Sequence, residues 1–172
     1  MVAGSEVEFT ADLPAGWENG GFGAGKDAQE PSAGLSFVVS HVENTYEDPC
    51  AHVTRTPKIG STVDALVTAF REIPHTSATE PVETTIGGID AKYIEVAIPS
   101  SLPCEPNEFD LWSEGPGAHW WVQKLNETAR IWVFEANDER VAIVAHTYPN
   151  TSDELITELE EILDSIAFDA SS

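Results

Sequence analysis

The chain has 172 residues, of which 41% are apolar, and it carries 30 acidic against 8 basic residues, a formal net charge of −22. This apolar content is too high for an intrinsically disordered chain and is sufficient for a buried core. No basic cluster occurs, which argues against binding to nucleic acid or to an anionic membrane surface. We expect a single domain over residues 1–172, with an ordered core at about 6–168.

The acidity has three explanations. It can keep an exported protein soluble, adapt a protein to high salt, or create a field that steers cations or a basic partner to the surface. Glu outnumbers Asp, 20 to 10, whereas salt adaptation should enrich Asp. We therefore favour solubility of an exported protein.

No segment approaches the roughly 18 apolar residues that a membrane span needs. The opening residues Met1–Ser5 are small and do not form a signal peptide. We expect the signal or membrane anchor of the natural protein to lie outside this sequence.

Periodicity and turn signals divide the first half of the chain. Alternating apolar residues predict strands at Val7–Thr10 and Leu35–Val42. Four glycines between Gly20 and Gly25 predict a surface loop. The segment Ser61–Asp64 has the hydroxyl cap and the acid of a helix start, and Pro74 ends that helix. Its apolar stripe consists of Val63, Leu66, Val67 and Phe70.

The second half is a run of strands followed by a helix. Turn residues at Gly87-Gly88 and Asn137–Glu139 predict two hairpins. The strands are predicted at Val82–Ile86, Ala91–Ile98, Phe109–Trp112, His119–Lys124, Arg130–Ala136 and Arg140–Thr147. Thr151 and Glu154 form a capping box at the start of the last helix. The stripe of this helix consists of Leu155, Leu159, Ile162, Leu163 and Ile166.

This order of elements predicts an α+β fold in which a single antiparallel β-sheet is covered by two α-helices. If both helices lie on one face, the other face of the sheet is wet or covered by loops.

The two cysteines lie in loop-like, proline-flanked segments. Cys50 follows Pro49, and Cys104 stands between Pro103 and Glu105-Pro106. Buried thiols usually lie in strands or helices, so this setting favours a disulfide. Two free thiols are the alternative, and metal ligation by two such distant cysteines is disfavoured.

A near match to a phosphate-binding loop occurs at Gly20–Lys26. Asp27 replaces the hydroxyl residue that would hold magnesium, and Pro31 comes too soon for a helix whose N-terminus would bind the phosphate. We interpret the segment as a surface loop.

Four residues form the densest group of potential metal ligands: His41, Glu43, Asp48 and His52. Imidazole and carboxylate suit zinc, manganese or iron, but the spacing matches no standard site. We favour the interpretation that these are ordinary polar residues at the end of a strand and in the loop after it. We predict no metal and no cofactor.

A hydrolytic triad can be imagined from Asp110, Ser113 and either His119 or His146. No tight turn places Ser113 beside an oxyanion donor. We therefore assign no catalytic residue.

Four tryptophans on consecutive predicted strands are candidates for a ligand platform: Trp112, Trp120, Trp121 and Trp132. Trp120 and Trp121 must point to opposite faces of their strand. Such rings can stack on a sugar or anchor a partner, although packing in the core is the favoured alternative.

A set of short motifs in fixed order covers about residues 10–168. The motifs are Leu13-Pro14-x-Gly16-Trp17, Gly34-Leu35-Ser36-Phe37, Asp48-Pro49-Cys50, Gly60-Ser61-Thr62-Val63-Asp64, Ile86-Gly87-Gly88, Ile131-Trp132-Val133-x-Glu135, Tyr148-Pro149-x-Thr151-Ser152 and Leu163-Asp164-Ser165-Ile166. Together they resemble a domain of exported or membrane-anchored actinobacterial proteins, most of which have no assigned function. The element order is also similar to the PsbP-like fold, which includes lipoproteins.

The resemblance implies that the cysteine of the Asp-Pro-Cys loop pairs with the one after the long hairpin, here Cys50 with Cys104. It brings no catalytic residues, and fold alone does not determine function.

These observations favour a non-enzymatic domain, extracellular or in the cell envelope, that binds a protein, a cell-wall component or a small ligand. The first alternative is a hydrolase that acts on glycans or esters through carboxylates beside the Trp-rich strands. The second is a salt-adapted cytosolic domain, which would have free thiols.

Overall fold

The computed structural model describes residues 7–20, 23–26 and 35–168. Within these residues the strands are β1 (Phe9–Thr10), β2 (Glu18–Asn19), β3 (Gly23–Lys26), β4 (Leu35–Ser40), β5 (Asn44–Asp48), β6 (Val53–Thr54), β7 (Ser77–Ala78), β8 (Val82–Ile86), β9 (Ile89–Ala97), β10 (Asp110–Gly115), β11 (Ala118–Trp121), β12 (Thr128–Ala136), β13 (Glu139–Thr147) and β14 (Ala167–Phe168). The helices are α1 (Val63–Arg71) and α2 (Asp153–Ser165), with a 3₁₀ turn at Pro106–Glu108. Neither α-helix in this part of the chain is long and apolar enough to cross a membrane.

The largest sheet has eight strands in the order β2-β3-β4-β13-β12-β9-β7, with β8 also pairing with β9. Its centre is the long hairpin β12–β13, in which Thr128 pairs with Thr147 and Ala136 with Glu139. Asn137 and Asp138 have φ of 53° and 61° at the turn. These left-handed values are typical of two-residue hairpins, and Asn and Asp adopt them more readily than most residues.

The central strands are apolar on both faces, so the sheet is buried on both sides. On β13, five consecutive residues from Val141 to Ala145 are buried. Phe37, Ile143 and Phe134 pack in one core with α2, whereas Val38, Val144 and Ile131 pack in a second core with α1. This alternation follows from the period of two along a strand.

Two smaller sheets complete the fold. A four-stranded sheet has the order β11-β10-β5-β6, and its Leu111 and Trp112 belong to the same core as α1. A two-stranded ribbon joins β1 to β14.

The expectation of a single sheet covered by two helices is therefore wrong. The described residues form three sheets, of eight, four and two strands, and the two helices pack on opposite faces of the largest one. A helical stripe such as Leu66, Val67 and Phe70 shows that a helix has a buried side but not which face of the sheet it covers. The second face is closed by α1 together with the four-stranded sheet.

The glycine-rich segment was expected to be a surface loop, but its last four residues form strand β3. A Cβ at Gly23 would collide with the carbonyl oxygen of Phe37 on β4, so the glycine permits close approach of the two strands. Lys26, the lysine of the phosphate-loop motif, pairs instead with Glu158 of α2 at 2.8 Å. Residues 21 and 22 of the predicted loop lie outside the described residues, as do residues 27–34 after it.

Two other local expectations are corrected. The cap of α2 is Ser152, whose hydroxyl accepts from the Leu155 amide, while the predicted cap Thr151 accepts from the Tyr148 amide. The sequence does not show which of the two residues is the cap, because both carry a hydroxyl that can accept from a helix amide. The segment after His41, expected to begin a loop, forms β5, whose Asn44 and Thr45 pair with β10.

The disulfide between Cys50 and Cys104 is present, and it joins residues 54 positions apart. It links the turn after β5 to the loop after β9. Both cysteines pack partly buried against the core that contains α1.

Replacing both cysteines tests the contribution of this bridge. We expect the double variant C50A/C104A to lose about 4 kcal/mol of unfolding free energy, because the chain-entropy model assigns this value to a loop of this length. Urea unfolding measures the difference. A reducing agent should destabilise the native protein by a similar amount and leave the variant unchanged. A variant as stable as the native protein would contradict the prediction.

Candidate functional site

A groove lies between α2 and the outer strands of the large sheet, with a volume of about 340 Å³. Strand register explains its position, because one row across the sheet runs Val82, Tyr93, Trp132, Ile143. Ile143 is fully covered and packs in the core with α2. Tyr93 and Trp132 are only half-buried and line the groove, which opens where the coverage by the helix ends.

The floor of the groove is an aromatic pair. The ring centroids of Tyr93 and Trp132 lie 4.9 Å apart with an interplanar angle of 40°. The Tyr93 hydroxyl donates a hydrogen bond to the Glu95 carboxylate. Arg130 also faces this carboxylate, with its Nε 3.7 Å from Oε1. Glu95 therefore holds the phenol and the guanidinium at one end of the groove and balances the charge of Arg130.

The helix side of the groove is acidic. Glu160 and Asp164 lie one turn apart on α2, line the groove and are exposed. Within the described part of the chain, neither carboxylate has an ion pair or a hydrogen-bond partner. Their charges add to the net negative charge of the protein, which is formally −22.

The environment of the groove also acts on its phenol. Burial, followed by the hydrogen bond to Glu95, raises the pKa of Tyr93 above its ordinary value of 10.0. The neutral phenol is thus retained as a hydrogen-bond donor far above neutral pH.

Trp112 and Trp120 lie on the opposite side of the large sheet from Trp132. Trp112 is 1% exposed and Trp120 packs against the same core. Both rings are stacked near His146, with centroids 6.3 and 5.8 Å from the imidazole. Their indole N–H groups donate to Ser40 and Glu114 respectively.

A buried acid accompanies this histidine. Glu127 is 0% exposed, and its carboxylate accepts the backbone N–H groups of Gln123 and Lys124. One of its oxygens lies 3.7 Å from Nδ1 of His146. Sequence reasoning did not single out Glu127, because one more acid in so acidic a chain carries no local signal of burial.

Trp121 is 38% exposed and lies beside a second polar cluster. Its ring centroid is 5.6 Å from that of His119. Asp110, 2% exposed, lies within 3.7 Å of His119 and 2.7 Å of His52. The four proposed platform tryptophans are thus divided among a groove, a core cluster and an exposed patch, and the proposal that they bind a ligand stays a prediction.

The four weak candidates for metal ligands are not brought together. His41 faces Glu139 and Glu43 pairs with Lys58. Asp48 accepts the amide of Ala51, while His52 bonds to Asp110. Among the described residues, no three ligating side chains converge on one point.

The imagined triad is also divided. Asp110 does approach His119, but His146 is in the buried tryptophan cluster. Ser113 is buried, and its hydroxyl lies 3.5 Å from the carbonyl oxygen of Asn44.

Comparisons with known proteins find no matching family model and no matching curated protein. Among solved structures, the chain is similar to LpqN, described as involved in cell envelope biogenesis of Mycobacterium tuberculosis. The identity is 11%, with 99% of this chain and 89% of that chain covered and a TM-score of 0.49.

It is also similar to cyanobacterial PsbP (CyanoP) from Synechocystis sp. PCC 6803. The identity is again 11%, the coverage 93% and 91%, and the TM-score 0.42. The suspected resemblance to an envelope protein and to PsbP-like architecture matches these structures. With TM-scores below 0.5 and an identity of 11%, neither similarity carries an argument about this chain, and neither an activity nor a ligand is transferred from either protein.

The raised pKa values of Tyr46 and Tyr93 predict a loss of stability at alkaline pH. Burial and the neighbouring Asp110 carboxylate raise the pKa of Tyr46 to about 12, and the pKa of Tyr93 is raised as well. Unfolded tyrosine ionises near pH ~10. Between pH ~10 and ~12 the unfolded chain therefore loses protons that the folded chain keeps, and the free energy of unfolding falls.

Urea unfolding at pH 9 and pH 11 measures this effect. We expect the double variant Y46F/Y93F to show a smaller fall between these two pH values than the native protein. An equal fall would mean that other groups cause the alkaline loss.

Proposed function

We propose that this chain is a non-enzymatic extracytoplasmic domain that binds a ligand in the groove between α2 and the β8–β9 hairpin. The ligand is a component of the cell envelope that carries a cationic group, such as an amino sugar. One observation carries the proposal: an aromatic pair, Tyr93 and Trp132, faces two unpartnered carboxylates, Glu160 and Asp164.

The chemistry of the groove supports a cation. Electron-rich aromatic faces attract ammonium groups, and this attraction reaches about 2 kcal/mol where water is excluded. Glu160 and Asp164 supply the opposite charge from the helix side. A neutral saccharide would gain the stacking but not the charge interaction, so cationic ligands should be preferred.

The disulfide supports a location outside the cytoplasm. Structural disulfides form and persist in oxidising compartments and are rare where glutathione and thioredoxin keep thiols reduced. The bridge between Cys50 and Cys104 therefore fits an exported protein, and an exported binding domain meets envelope components.

The hydrolase alternative has one observation in its favour. Residues four apart on a helix are neighbours on its surface, so the carboxyl groups of Glu160 and Asp164 can reach the separation of paired glycosidase carboxyls, roughly 5 to 9.5 Å. They also stand beside Trp132. Product formation from a bound glycan would establish this alternative.

Binding of matched saccharides tests the proposal. Calorimetry at about 150 mM salt, where surface charges are screened, compares a glucosamine trimer with the neutral N-acetylglucosamine trimer. We expect the cationic trimer to bind more tightly. The variant E160Q/D164N should weaken its binding about tenfold, which corresponds to two exposed charge interactions of ~0.7 kcal/mol each.

The control is E154Q/E161Q, which removes the same charge from exposed positions of α2 outside the groove. If both variants weaken binding equally, the overall field and not the groove attracts the ligand. If neither trimer binds, the proposed ligand class is wrong.

A further inference from the structure

Strand β8 lies at the outer edge of the large sheet. Among the described residues it pairs only with β9, in an unbroken register from Val82 opposite Tyr93 to Ile86 opposite Ile89. An antiparallel strand turns its backbone groups alternately to its two sides. One side of β8 therefore bonds to β9, and the other side presents N–H and C=O groups that bond to no backbone group in the described part of the chain.

The hairpin turn determines which residues present these outward groups. Gly87-Gly88 is a two-residue turn with φ of 55° and 79°, which is typical of a hairpin whose flanking residues bond to each other. Ile86 therefore bonds to Ile89, and every second residue before it also turns its backbone groups to β9. Glu83 and Thr85 fall between these positions, so their N–H and C=O groups point outward.

The groove beside α2 runs along this open edge, because all five residues of β8 line it. Alternate side chains of a strand point to opposite faces, and Ile86 packs on the face that α2 covers. Glu83 points to the other face, where it pairs with Lys92, which also pairs with Asp64 of α1. Glu83 and Thr85 therefore reach the groove with their backbone, and the groove includes the open edge of the strand.

An extended polypeptide fits this combination of an open edge and a helix wall. A chain that adds to a sheet as a strand lies about 4.8 Å from its neighbour, and its alternate side chains point to the same face. On the α2 side these side chains meet Glu160 and Asp164, which are exposed and line the groove. Lysine or arginine at alternate positions of the added strand complements these two charges.

The protection of the edge ends where the groove begins. Proline and charged residues are common means of protecting a sheet edge against pairing. Pro81 stands directly before β8, but the strand itself contains no proline, and its one charged residue is Glu83. With a formal net charge of −22, a second copy of this chain would bring acid against acid, whereas a basic chain is attracted.

We propose that an extended, basic segment of a partner protein adds to β8 as a further strand, with its alternate Lys or Arg side chains against Glu160 and Asp164. In this mode of recognition the backbone hydrogen bonds give affinity and the alternate side chains give specificity. The inference rests on the proposed function for the preference of the groove for a cationic group, and it names a polypeptide as the ligand.

Binding of a designed peptide to the intact, unreduced protein tests the chemistry of the partner. The probe alternates lysine and threonine over about eight residues, has acetyl and amide ends, and is measured by calorimetry at about 150 mM salt. We expect it to bind, and we expect its counterpart with glutamate in place of lysine not to bind. E160Q/D164N should weaken binding about tenfold, and the control E154Q/E161Q should not. Equal binding of the two peptides would overturn the proposal.

Two N-methylated forms of the lysine peptide test the backbone pairing. A strand that pairs on one side uses the N–H groups of every second residue. Methylation of all lysine amides or of all threonine amides therefore blocks pairing in only one of the two peptides. We expect one form to bind about tenfold or more weakly than the parent and the other to bind as the parent does. The proposal is wrong if both forms bind like the parent or if neither binds.

The edge itself is tested by hydrogen exchange and by T85P. The peptide should slow exchange of the Glu83 and Thr85 amides. Proline at an outward position of an edge strand removes no bond to the neighbouring strand, so T85P, with its fold checked by circular dichroism, should weaken peptide binding about tenfold. Unchanged exchange would overturn the proposal, as would a dimer of the native protein that T85P abolishes. If the native protein binds the glucosamine trimer but not the peptide, this inference fails and the proposed function stands.

Discussion

The whole architecture depends on a sheet whose central strands are apolar on both faces. On β13 the buried run from Val141 to Ala145 alternates between the two cores. The side chains of such strands are buried away from water only if both faces of the sheet are covered. One helix cannot do this, so α2 covers one face while α1 and the four-stranded sheet cover the other.

The groove and the Asp110–histidine cluster both arise where this coverage ends. On the α2 side, the row from Ile143 to Val82 passes from full burial to 58% exposure, and the groove opens along it. On the other side, the four-stranded sheet buries Trp112 in the core but leaves Trp121 at its surface. Asp110 lies at this boundary, and so its carboxylate is buried while its two histidines are exposed.

Local patterns in the sequence predicted the local elements well. The period of two in Arg130–Ala136 and Arg140–Thr147, with an acid-amide turn between them, predicts the central hairpin. The stripe of α1 and its end before Pro74 also agree with the structure. These signals are strong because each depends on residues close together in the chain.

Long-range relations were not predictable in the same way. Helical periodicity does not say which face of a sheet a helix covers, so the single-sheet expectation failed. Asp110 and His52 are 58 positions apart, and Tyr93 and Trp132 meet only through the register of β9 with β12. The sequence suggested Trp132 as a ligand contact but had no signal that it would be separated from Trp112 and Trp120.

The central functional claim is that a cationic envelope ligand lies against Trp132. Each of the five tryptophans contributes one indole N–H signal to a proton–nitrogen correlation spectrum, and W132F assigns the relevant one. On addition of glucosamine trimer, we expect the Trp132 signal to shift, whereas the signal of Trp112, buried on the opposite face, should not move. A spectrum in which Trp132 is unmoved, or in which only Trp121 responds, would contradict it.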